Sequence, residues 1–194
     1  MCIRDRLETG LRQVADFVRT NPNEVVTLDI EDKVSAADTV AVFRRSGLAR
    51  YVYTPGNPRQ PWPTLGQMID SGRRVVVFAE NHGGTPGWYA KLYRYAMETP
   101  YTFTSASEFS CAPNRGGTGR RLFVMNHFIT RSAPSRNDAA AVNASAAIVR
   151  RARSCAATRG HLPTFVNVDF STLGDLTGAV DTLNQVPHSN GAGG

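Results

Sequence analysis

Apolar residues at Leu7, Leu11, Val14, Phe17 and Val18 recur at helical spacing, and "TNPNE" must end that helix because Pro22 cannot continue its hydrogen bonding. The next run, "VVTLDI" at 25–30, is rich in β-branched residues and predicts a buried strand. Ser35 is placed to cap a second helix that carries Val40, Val42, Phe43 and Leu48, with Gly47 in its stop region. Beyond the proline-rich loop "YTPGNPRQPWP", Thr64 caps a short helix that closes on Gly72.

A second strand is expected over 74–80, "RVVVFAE", followed by the loop "NHGGTPG" and an aromatic-rich helix over 88–97. Residues 101–104 are a weaker strand candidate, leading into a long Gly, Ser and Asn loop of the kind that tends to carry function. Strands at 122–128 and 164–170 then bracket an Ala-rich helix over 138–157 that stops at Gly160, and a last helix covers 175–183. Strands alternating with helices imply parallel pairing and an α/β fold. No Gly-rich fingerprint follows any strand, which disfavours an open nucleotide-binding sheet. The pattern therefore predicts a TIM-type (β/α)8 barrel that is incomplete, with strands four to eight present and the first three missing.

The ends of the chain bear on that expectation. "MCIRDR" at 1–6 reads, in codons, as the mosaic end of a transposase adapter used for sequencing libraries, so these residues are set aside as a scar. Residues 7–185 are then the C-terminal part of the barrel, and 186–194, with "NGAGG", the start of a linker or tail.

Composition adds two things. With 194 residues, 41% of them hydrophobic, the chain can bury one good core, and no apolar run reaches the roughly 18 residues of a membrane span. The net charge of +6 comes from basic residues scattered in pairs, such as Arg44-Arg45 and Arg150-Arg151, with no basic stripe carrying interleaved aromatics. Nucleic acid is not the expected partner; an anionic substrate or membrane surface is.

In a barrel, chemistry gathers at the C-terminal ends of strands. That rule selects Asp29, Glu31 and Asp32, then Glu80, Asn81 and His82, then 111–115, then Asn126 and His127, and last Asp169. Asp29 and Glu31 share one side of their strand and could offer oxygen ligands to a hard cation, whereas Asp32 could equally cap the next helix. A lone histidine such as His82 or His127 is more often a hydrogen-bonding residue than a catalyst, and His161 and His188 are poorly placed. No G-x-S-x-G elbow and no H-E-x-x-H occurs. With Cys2 in the scar, Cys111 and Cys155 are either one disulfide of an oxidising compartment or two unrelated thiols.

The phrases "NPNEVVTLDIED", "PWPTLGQMI", "RRVVVFAEN", "FSCAPNRGG", "LFVMNHF" and "PTFVNVDF" with "VDTLN", in that order, resemble the phosphatidylinositol-specific phospholipase C X-domain-like proteins of the PLC-like phosphodiesterase superfamily. The resemblance implies a phosphoric diester hydrolase that cleaves lipid-headgroup phosphodiesters by histidine acid/base catalysis. It also implies that both catalytic histidines lie on strands absent from this chain, leaving the fragment inactive. Glu31 matches a position where calcium-dependent members hold their metal, and Asp169 one that supports a catalytic histidine. Arg115 could hold phosphate oxygens over the barrel mouth, with Asn81, Asn126 and His127 as further substrate-binding candidates. Alternatively "SCAPNR" anchors its loop through a Cys111–Cys155 bridge. The implied partner is a phospholipid headgroup or membrane surface, with no obligate protein partner, and the implied location is extracellular or the bacterial cell envelope, with a signal peptide upstream. A diverged phosphodiesterase with a non-inositol substrate, or a catalytically silent barrel binding headgroups or glycans, remains the alternative.

Overall fold

A computed structural model of the chain describes residues 3–185. Cys2, His188 and the expected linker at 186–194 lie outside the described residues. After Tyr95 the chain divides into two compact units.

The first unit runs α1 (Ile3–Thr20), β1 (Val26–Ile30), α2 (Ala36–Arg45), a 3-10 turn (Leu48–Tyr51), α3 (Leu65–Asp70), β2 (Val75–Ala79), β3 (Tyr89–Lys91) and α4 (Leu92–Tyr95). Its strands form one parallel sheet in the order β1-β2-β3, with Val26 opposite Val75 and Val77 opposite Tyr89. Leu11 and Val18 of α1 and Val42 and Phe43 of α2 pack with Val75, Val77 and Ala79 of β2 in a continuous core. Both caps expected from the sequence form: Ser35 accepts the Asp38 N–H, and Thr64 makes a reciprocal capping box with Gln67. The buried Arg74 ties helix to sheet, its guanidinium donating to the carbonyls of Val18 (2.9 Å), Asn21 (2.9 Å) and Glu24 (3.0 Å). A cation on the orphan carbonyls at a helix C-terminus is favourable in both hydrogen bonding and dipole.

The second unit contains β4 (Ala96–Glu98), a 3-10 turn (Ala106–Glu108), β5 (Leu122–Asn126), α5 (Arg136–Val142), α6 (Ser145–Arg159), β6 (Phe165–Asn167) and α7 (Leu176–Asn184). Its sheet is again parallel, β4-β5-β6. Met97, Phe123 and Met125 meet Ile148, Val149, Ala152 and Cys155 of α6 and Ala179 of α7. The Ala-rich helix expected as one piece is two. The chain breaks at Asn143, whose carbonyl accepts the Asp175 N–H and whose side chain donates to the Asp169 carbonyl. Gly174, at φ +77, lies so close to Asn143 that a Cβ would overlap its carbonyl oxygen.

The expected incomplete TIM-type barrel, with strands four to eight, does not form. Among the described residues there are two separate three-stranded sheets and no closed barrel. The 88–97 segment, expected as a helix, is strand, single helical turn and strand, so β3 and β4 belong to different sheets. Closure needs every strand hydrogen-bonded on both sides, and β1, β3, β4 and β6 each have one partner. Along β1, Thr27 and Asp29 are exposed, so that strand is covered on one face only.

Replacing Arg74 by Met should remove three charge-assisted bonds and destabilise the chain by roughly 2–4 kcal/mol. Urea unfolding checks this, with the loss of helical signal as readout.

Candidate functional site

In the second unit the polar groups converge where its three strands end. Glu98 closes β4 with its side chain 3% exposed. It accepts from the Arg115 guanidinium through Nε and through Nη2 (3.2 Å), from Asn114 Nδ2 (3.0 Å) and from Asn126 Nδ2 (3.2 Å). The backbone repeats the connection: Glu98 N–H donates to the Arg115 carbonyl and Asn114 N–H to the Glu98 carbonyl. Gly116, at φ +87, passes so close to β4 that a Cβ would overlap the Ala96 carbonyl oxygen. The "NRGG" phrase is therefore a segment laid along β4, with Arg115 stacked 4.9 Å from the Tyr101 ring and committed to Glu98.

Asn126, at the end of β5, is buried and satisfied on every side. Besides Glu98, its amide donates to the Thr99 carbonyl (2.9 Å), and its Oδ1 accepts from Asn167 of β6 (3.1 Å). His127 is 1% exposed. Its Nε2 lies 3.0 Å from the Val142 carbonyl, so it carries the proton, and its Nδ1 lies 3.2 Å from Arg151 Nη1, so it accepts. Burial, with the neighbouring Arg151 charge adding to it and the Val142 bond opposing it, lowers the His127 pKa and keeps the ring neutral. Arg151 also donates to the carbonyls of Asn126 (2.6 Å) and Ser110 (3.1 Å).

Asp169 follows β6, beside Phe170, which adopts φ +49. Its carboxylate has no hydrogen-bond partner among the described residues, and burial raises its pKa. The strain at this turn lies in the Phe170 backbone, in the left-handed region that a bulky side chain rarely adopts. Cys111 and Cys155 are joined in a disulfide with Cα atoms 5.1 Å apart, fastening the loop to α6, where Arg159 also donates to the Cys111 carbonyl (2.6 Å).

In the first unit Asp32 is the organising residue. Its buried carboxylate accepts the N–H groups of Asn81 (3.0 Å) and His82 and lies 2.9 Å from His82 Nδ1. Burial opposes its ionisation, but these donors outweigh that cost and hold its pKa below the ordinary value. Asn81 also donates its amide to Asp32, whereas the His82 ring is 74% exposed. Glu31 is 79% exposed and lies 3.7 Å from Lys33. Among the described residues no group of three or more His, Cys, Asp or Glu side chains is gathered as a set of metal ligands.

The PI-PLC X family model (PI-PLC X 1) matches residues 3–184. The chain belongs to the PI-PLC X family. An "uncharacterized secreted protein" of Arthroderma benhamiae is 32% identical over 90% of this chain and 45% of its own length. "PI-PLC X domain-containing protein 1" of the same fungus is 27% identical over 90% of this chain and 63% of its own. A PI-PLC X domain-containing protein of Arabidopsis thaliana is 30% identical over 91% and 43%. The chain thus spans about half the length of the curated relatives it matches. No solved structure matches it.

The strand-end rule reached Asp32, Asn126, His127 and Asp169 of this PI-PLC X chain but not Glu98, because β4 was expected as part of a helix. Reading 96–98 as a strand would have put Glu98 at a strand end. Arg151 falls in one of the scattered basic pairs, and nothing in the local pattern marks it as buried.

Glu98→Gln should cost roughly 2–4 kcal/mol, because it strands a half-buried guanidinium. Adding Arg115→Met to that variant should cost less than it does alone, and a double-mutant cycle in urea measures the difference. His127 binds its proton less tightly folded than unfolded, so its contribution to stability is complete above about pH 6.5 and is lost as the pH falls toward the lower folded value. His127→Gln should flatten that part of the stability profile, read by unfolding midpoints between pH 7.5 and 5.

Proposed function

We propose that this chain is part of a phospholipase C-like phosphodiesterase that cleaves the headgroup phosphodiester of an anionic phospholipid, with phosphatidylinositol the leading substrate. The observation that carries the reading is the family match across residues 3–184. A donor-rich cluster at the ends of β4, β5 and β6 supports it.

In such a reaction a base takes the proton of the inositol 2-hydroxyl, and that oxygen attacks phosphorus. The bond from phosphorus to the diacylglycerol oxygen breaks, and an acid protonates the leaving oxygen, giving a cyclic phosphodiester. The described histidines do not make up that pair: His127 is buried with both nitrogens engaged, His161 Nδ1 lies 2.9 Å from the neighbouring Leu162 carbonyl, and His82, exposed and oriented by Asp32, bonds to no second histidine. We assign the acid and base to histidines encoded upstream. Asp169 would orient one of them, and Arg115, fixed by Glu98, would face the phosphate. Asn126, which donates to the Thr99 carbonyl, and His127, held between the Val142 carbonyl and Arg151, would shape the binding face at these strand ends.

A location outside the cytoplasm, at the cell surface or beyond, fits the Cys111–Cys155 bond and the secreted relative. Among the described residues no helix is long and apolar enough to cross a membrane. A second reading, a catalytically silent headgroup-binding domain, draws on the fact that no described histidine bonds to another.

The test is to compare this chain with the longer product of the same gene on phosphatidylinositol vesicles, measuring cyclic inositol phosphate. Turnover by the longer product alone is the expected result. Turnover by neither overturns the enzyme reading in favour of the silent domain, and turnover by this chain alone overturns the upstream placement of the acid and base.

A further inference from the structure

Arg151 is 8% exposed, and among the described residues no carboxylate pairs with it. Its Nη atoms reach two carbonyls and the His127 ring, the ring faces of Phe109 and Phe103 lie 4.2 Å and 5.2 Å from its guanidinium carbon, and its Nε is buried without a hydrogen-bond partner. A guanidinium taken out of water against neutral groups alone keeps its full charge and lacks a counter-ion. Burial brings its pKa down to about 10, which leaves it cationic at neutral pH.

That side chain lines a cleft of about 370 Å³ in the second unit. Arg150 lines it too, exposed on the next position of α6. The remaining walls are largely apolar, among them Phe109, Ala141, Val142 and Ala147, and none of the lining residues is acidic. Two cations set in an apolar cleft of this size complement a ligand with the opposite arrangement, an oxyanion on a short hydrocarbon chain.

We propose that this cleft binds an anionic amphiphile, a carboxylate or phosphate monoester carrying an alkyl chain, with Arg150 and Arg151 on the anion and the α5–α6 corner on the chain. Glu98, Arg115 and Asn126 do not line the cleft, although Arg151 reaches the Asn126 carbonyl from it, and the proposal does not depend on whether the protein is an enzyme. Fatty acids and lipid phosphates share the required chemistry, and the two probes below distinguish them.

Titration calorimetry of the full chain with octanoate and with octyl phosphate tests it, using 1-octanol and inorganic phosphate as the matched controls. Saturable binding of at least one octyl anion, and of neither control, is expected. Arg150→Gln, an exposed change, should weaken it roughly tenfold, as the loss of one charge-assisted hydrogen bond implies. Ala141→Phe, also exposed, should fill the cleft and abolish it, with the unfolding midpoint of each variant showing that it is folded. No binding of either octyl anion, equal binding of either control, or undiminished binding by Ala141→Phe would overturn the proposal.

Discussion

A parallel strand that ends inside a protein delivers polar groups to a place without water, and each of them must find a partner within the chain. Glu98 is the most demanding case, because what it brings to the end of β4 is a carboxylate. Its partners come from two places: Arg115 and Asn114 from the long loop and Asn126 from the neighbouring strand. The loop must then lie along β4, Gly116 must have no side chain, and the disulfide and Arg159 hold the loop against α6. Much of the second unit follows from satisfying one buried charge.

Elsewhere the same constraint is met with the charges reversed. Arg74 places a cation on the free carbonyls that end α1, and Arg151 places one on the carbonyls of Asn126 and Ser110. Asp32 answers the opposite need, gathering the N–H groups of the loop that follows β2. These are structural uses of residues that a list of candidate catalysts would also contain. The distinction lies in what remains free: His127 has no nitrogen to spare, whereas Asp169 has a carboxylate with no partner among the described residues.

The chain belongs to the PI-PLC X family, and the function proposed for it would give these arrangements a chemical setting, a phosphodiester in a lipid headgroup. In that proposal Arg115 is a guanidinium already oriented by Glu98, which would lower the cost of fixing it against an anion. The basic character of the chain, +6 overall, is compatible with an anionic surface, and part of it is spent internally on carbonyls and aromatic rings.

Local sequence determined the helices with strong periodicity, the two side-chain caps, the β-branched strands and the family, because each of these is written in neighbouring residues. Leu11 and Val18 specify the buried face of α1 whatever surrounds it, and Ser35 caps α2 through a contact three residues away. Tertiary structure alone decided how Trp88 to Met97 would fold, since a short run mixing aromatic and aliphatic residues satisfies helix and strand equally until the sheets claim it. It also decided that the strands would sort into two sheets rather than a barrel, and that Glu98, Asn126 and Arg151 would share one polar network. Those outcomes depend on contacts 17 to 28 residues apart, such as Glu98 with Arg115 and with Asn126, and no local pattern encodes which distant partner a buried charge will find.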